Sequence, residues 1–101
     1  MELNEFTYDN VLPHVGSTFH IEFPERAIDL QLTRVDHLRE KHTSKRLYRD
    51  SFALIFTGPT DIMLQQGTYP MRHEALGEQV NIFIVPIGKG EEGFEYEAVF
   101  T

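Results

Sequence analysis

The chain is 101 residues long, with 41% hydrophobic and 25% charged residues and a net charge of −7. That length buries one core and no more, so residues 1–101 are read as a single domain. The absence of cysteine excludes disulfides, thiolate metal ligands and a cysteine nucleophile.

The N-terminus, MELNEFTYDN, is acidic where a secretory signal needs positive charge followed by an apolar run. No apolar stretch approaches the ~18 residues of a membrane span. A soluble, cytoplasmic protein is the expectation. The charge is segregated: Arg34 to Arg49 holds six basic residues against Asp36 and Glu40, a net +4, so the rest carries −11. An acidic body repels phosphate backbones, which argues against duplex nucleic acid as a partner.

In chain order, Tyr8 to Val15 is the one helical piece, capped by Asp9 or Asn10 and kept short by Pro13 and Gly16. From Thr18 the period becomes two. Phe19, Ile21 and Phe23 alternate with polar residues, Pro24-Glu25-Arg26 turns the chain, and Ile28, Leu30 and Leu32 alternate again. Val35 falls out of step, which predicts a bulge or the strand end near Thr33 and Arg34. His37 to Asp50 reads as a long polar, basic loop.

Beyond the loop, Ser51 to Thr57 is apolar on both faces and breaks at Gly58-Pro59. Ile62 to His73 resumes as a strand interrupted at Gly67. Val80 to Ile87 is again apolar on both faces, and Phe94, Tyr96, Ala98 and Phe100 alternate in a last strand. Six strands joined mostly by short turns predict an all-β domain, a small six-stranded antiparallel meander barrel or sandwich with one short N-terminal helix. Two-faced apolar strands favour closure into a barrel.

Candidate chemistry is sparse. His14, His20, His37, His42 and His73 fall in no metal-ligand spacing, so no metal site and no cofactor are expected. Ser17, Ser44 and Ser51 lie in no nucleophile elbow, and His73-Glu74 lacks a partner in sequence, so no catalytic residue is assigned. FTGPT and PIGKGEEG lack phosphate-loop spacing, and Glu91-Glu92 opposes an anion there. The basic loop is the candidate partner-binding element, through Arg39, Lys41, Lys45, Arg46, Tyr48 and Arg49. It suits an acidic protein surface or, alternatively, a nucleic-acid single strand. A hollow barrel would instead offer a ligand or enzyme site on the Gln65, Gln66, Tyr69, His73 strand.

Several runs give a resemblance: Phe19 after Gly16, Phe52 to Pro59, Leu64-x-Gln66-Gly67-Thr68-Tyr69, Leu76-Gly77, Val85 to Gly88 and Tyr96 to Phe100. In these the chain resembles a small uncharacterised bacterial family, a domain of unknown function whose members accompany phage-tail-collar-like proteins in bacterial genomes. The resemblance implies a structural or accessory role in such an assembly. The resulting expectation is a non-enzymatic interaction module with a protein partner, working through a surface or a sheet edge, and with self-association.

Overall fold

The computed structural model describes residues 6–38 and 51–100. Six strands, β1 (Thr18–Glu22), β2 (Ala27–Leu38), β3 (Ser51–Thr57), β4 (Gly67–His73), β5 (Gly77–Lys89) and β6 (Phe94–Phe100), close a barrel in the order β1-β2-β3-β6-β5-β4. Every pairing is antiparallel. The six-stranded antiparallel barrel is as expected, but the meander is interrupted once. Two three-stranded meanders, β1-β2-β3 and β4-β5-β6, are joined by a connection over residues 58–66 that crosses one end of the barrel, meeting Arg26 through Asp61 and Tyr96 through the Leu64 amide.

The alternation read in sequence sets the inside of the barrel. Phe19 and Ile21 on β1, Ile28, Leu30 and Leu32 on β2, Val80, Ile82 and Ile84 on β5 and Tyr96 and Ala98 on β6 are buried in one cluster. Phe19 meets Phe56 edge-on at 5.2 Å between centroids, a geometry favoured by the ring quadrupoles. Truncating a buried ring of this kind costs about 3–5 kcal/mol. These side chains occupy the barrel interior. β3 is buried on both faces: Phe52, Leu54 and Phe56 join the cluster, while Ala53 and Ile55 on the other face are buried too.

The bulge anticipated near Thr33 is present, with the β2–β3 register shifting between Leu32 and Arg34. Thr33 turns its hydroxyl onto the Ile55 carbonyl at 3.0 Å. The strand does not end there. It continues to Leu38, opposite Ser51, so His37 and Leu38 belong to β2 and not to the loop. A second bulge lies between Pro86 and Gly88, where β5 has been extended to Lys89. Ile62 to Gln66, read as strand, instead belong to the crossing connection, and β4 begins at Gly67.

The two barrel ends are closed differently. At one, the N-terminal segment packs across: α1 (Tyr8–Val11) is capped by Thr7, whose hydroxyl accepts from the Asn10 amide at 3.1 Å, so neither Asp9 nor Asn10 is the cap. A 3₁₀ turn, Leu12–His14, follows on Pro13. Tyr8 stacks on His37 at 4.5 Å and Phe6 stacks on Phe100 at 5.6 Å, which fixes this segment to β2 and β6. At the other end, the 58–66 connection lies over the core and buries Leu64. No helix among the described residues is long and apolar enough to cross a membrane.

Candidate functional site

At the N-terminal end, three elements converge on one buried histidine. His73, at the last position of β4, is 4% exposed. Its Nδ1 accepts hydrogen bonds from the Ala75 amide at 3.0 Å and the Leu76 amide at 3.1 Å, which folds the β4–β5 turn back on the ring. Amides can only donate, so Nδ1 is unprotonated and the proton of the neutral ring sits on Nε2. Nε2 stands 2.8 Å from Ser17 Oγ, and Ser17 Oγ donates to the His14 carbonyl. The ring also lies 4.5 Å from Phe19 and 5.2 Å from the ring of His14. Burial first, then the neighbouring His14, pushes the His73 pKa below its ordinary value, with Glu74 opposing.

A serine at this distance from a histidine is the first requirement of a nucleophile and its base. The proton direction here is the reverse of what that chemistry needs. Nε2 donates to the serine instead of accepting from it, the serine proton is committed to a carbonyl, and the position where an orienting carboxylate would stand is held by two backbone amides. The arrangement is a clamp that ties β4, the β4–β5 turn and the entry to β1 together.

At the opposite end, an open groove of about 350 Å³ lies between the β1–β2 turn and the crossing connection. Phe23 and Tyr69 form one side, with the rings edge-on at 6.1 Å. Ile62 and Met63 form the other, and Met63 is 50% exposed. Beneath, the Tyr96 hydroxyl accepts from the Leu64 amide at 2.8 Å, which anchors the connection to the barrel interior. Tyr69 donates its hydroxyl to the Gln65 carbonyl at 2.7 Å. Across the rim, Arg26 Nη1 donates to Asp61 Oδ2 at 2.9 Å. That hydrogen bond holds the Asp61 carboxyl below the usual carboxylate range. Glu25 and Arg26 are the charged residues that line the groove, and Asp61 is the partner of Arg26.

The model of a domain of unknown function, DUF6916, matches residues 6–100. The chain belongs to this family. Neither the curated proteins nor the solved structures contain a match to it.

Several residues that carry the resemblance acquire a physical role in this DUF6916 domain. Gly58 is not a left-handed turn residue; a Cβ there would stand 2.8 Å from Leu30 Cδ2 and 3.3 Å from a Tyr96 ring carbon. It also lies against the β5–β6 turn, donating its amide to the Phe94 carbonyl at 2.8 Å. A Cβ on Gly93 would collide with the Gly58 carbonyl. These glycines allow two backbones to meet at the end of the barrel.

The residues suspected of lining a hollow interior are separated by the fold. Gln65 and Tyr69 line the groove, Gln66 is exposed, and His73 is buried at the other end of β4. Sequence reasoning weighed Ser17 and His14 without their partners and assigned Phe23 and Met63 no site role, because these roles depend on distant contacts. Only the hairpin signal at Pro24-Glu25-Arg26 placed a turn beside the groove. Arg39, Lys41, Lys45, Arg46, Tyr48 and Arg49 lie outside the described residues. Among the described residues no group of three metal-ligating side chains converges. The Gly90–Gly93 turn borders a cleft with Glu91, Glu92 and Glu95, an acidic setting as its sequence indicated.

Proposed function

We propose that this domain is a non-enzymatic protein-interaction module, a structural accessory in a phage-tail-like assembly of the bacterial cytoplasm. The observation that carries the reading is the apolar groove at the end of a barrel whose inward-facing side chains are buried in one cluster. Exposed Met63 and half-buried Phe23, Ile62 and Tyr69 offer a protein side chain an apolar seat, and such seats tend to carry the binding energy of an interface. The genomic neighbours implied by the family resemblance support an accessory role, and a cysteine-free chain fits a reducing compartment. Because the barrel is closed, the working surface in this reading is the groove together with the basic segment, in place of a sheet edge.

The test is a comparison of partners captured from the native host by the wild type, by Met63→Arg, and by a chain with serine at Arg39, Lys41, Lys45 and Arg46. Loss of the same partner from the first variant, with its fold intact, is expected. Identical partner sets for all three chains would remove both surfaces from the account.

A second reading places a small apolar ligand in the groove, favoured by its volume and by Gln65 and Tyr69 on its wall. Groove volumes of roughly 300–1,000 Å³ are those of ligand sites. Native mass spectrometry of protein purified from its host separates the two: a bound small molecule lost on Met63→Arg would favour the ligand.

A further inference from the structure

We propose that the β4–β5 turn is an acid-operated latch: a proton taken up by His73 frees residues 74–76 from the barrel and bares Leu76, while the hold on Ser17 persists. The device lies at the opposite end from the groove and does not depend on the protein-interaction reading.

The two nitrogens of the His73 ring face groups of opposite demand. The Nε2 proton meets the Ser17 hydroxyl oxygen at 2.8 Å, an acceptor for the neutral ring and for the imidazolium alike. Nδ1 meets the Ala75 and Leu76 amides at 3.0 and 3.1 Å, and these can only donate. A proton added to the neutral ring goes to Nδ1, where it would stand donor against donor. Both turn bonds are then lost together. The two amides keep a partner only if the turn moves out to water.

The local backbone permits this movement without opening the barrel. The β4–β5 register shifts between Met71 and His73, so a single bridging pair, His73 opposite Gly77, lies between the bulge and the turn. Gly77, at φ +141°, places a glycine hinge where the turn enters β5. Leu76 is 2% exposed and is the core side chain that the turn would carry outward.

The groups around the ring set when the latch operates. His14 on the 3₁₀ turn and His20 on β1 oppose an imidazolium, Glu74 in the turn favours it, and β5 brings uncharged Gly77 opposite. His20 is itself tied to Asp29 at 2.7 Å, and Arg72 on β4 stands across from it, exposed to solvent. Burial adds to the opposition, so the latch is shut at neutral pH and opens on acidification below the ordinary histidine value of 6.5.

The test is an NMR titration from about pH 7.5 to about pH 4.5 that follows the His73 ring and the backbone amides. His73, Ala75 and Leu76 should share one midpoint below 6.5, with both amides moving to random-coil positions while those of Leu54 and Phe56 in β3 stay. Open over shut should rise about tenfold for each pH unit of acidification. In His73→Asn the side-chain Oδ1 replaces Nδ1 as acceptor and takes up no proton in this range, so both amides should hold their positions throughout. Ser17→Ala should retain the wild-type movement, because the latch is on the other nitrogen. A ring that titrates with both amides unmoved, or one that stays neutral to the end of the titration, would overturn the proposal. So would movement of the amides in His73→Asn, its loss in Ser17→Ala, or a collapse of the Leu54 and Phe56 signals at the same midpoint. Should His73→Asn not fold, the wild-type titration and Ser17→Ala decide alone.

Discussion

Ser17 Oγ stands 2.8 Å from His73 Nε2, and the proton between them belongs to the imidazole. The direction follows from the other ring nitrogen, which accepts from the Ala75 and Leu76 amides. A pair that resembles the beginning of a hydrolase site is a neutral hydrogen-bonded clamp, and its consequences appear in stability.

Because burial and His14 lower the pKa of folded His73 below the ordinary 6.5, the unfolded chain takes up its proton first as the pH falls. The contribution of this histidine is intact above about pH 6.5 and is lost as the pH drops below it toward the folded pKa. Urea unfolding at pH 7.5, 6.5 and 5.5 should give a stability slope that is shallower in His73→Leu. The variant should also be less stable at pH 7.5 by about 1–3 kcal/mol, since two turn amides lose their acceptor. Equal slopes in the two proteins would sink the clamp.

Tyr96→Phe removes the acceptor of the Leu64 amide and little else. A cost of about 1–2 kcal/mol is expected in chemical unfolding. Hydrogen exchange should quicken at Leu64 with little change in β2 and β3. Unchanged exchange at Leu64 would mean that the connection is held by its apolar contacts alone. Burial raises the Tyr96 phenol pKa, so the neutral acceptor persists well into alkaline solution.

Gly93 and Gly16 both have positive φ, at +153° and +97°, but differ in their surroundings. A Cβ on Gly16 meets nothing within 4 Å, whereas one on Gly93 strikes the Gly58 carbonyl. Gly16→Ala should cost about 1 kcal/mol from the backbone conformation. Gly93→Ala should cost more than about 3 kcal/mol, because two chains must separate. Similar losses in the two variants would show that the conformation, and not the close approach, sets the cost.

Asp61→Asn breaks the exposed bridge to Arg26, whose two side chains are 44% and 64% exposed. Exposed pairs contribute little, so the unfolding midpoint should stay where it is. A large fall would reveal that the bridge helps to hold the crossing connection over the barrel.

The parts legible in the sequence were those set by near neighbours. Phe19 and Ile21, then Ile28, Leu30 and Leu32, announce a buried face by their spacing, and the misfit of Val35 announces the bulge at Thr33. Ile62-Met63-Leu64 reads as strand in the sequence because a connection lying on a core is apolar for the same reason that a strand is. The strand order was not legible, since the pairing of β3 with β6 joins residues about forty apart and leaves no periodic trace. The same holds for the site: Ser17 and His73 are 56 residues apart, and Phe23 meets Tyr69 only because the barrel closes.

The seam between β1 and β4 carries one bridging pair, His20 opposite Arg72, whereas β3 and β6 share six. The two meanders are each built from local hairpins, so they can form early and independently, with little loop entropy to overcome. Their joining is then expected to be the slow event, with the six-pair seam committing the chain. Substitutions at Leu54 or Ala98 should therefore slow refolding, while those at His20 or Arg72 should chiefly hasten unfolding. The order in which the cylinder shuts is written in the unequal lengths of its two closing edges.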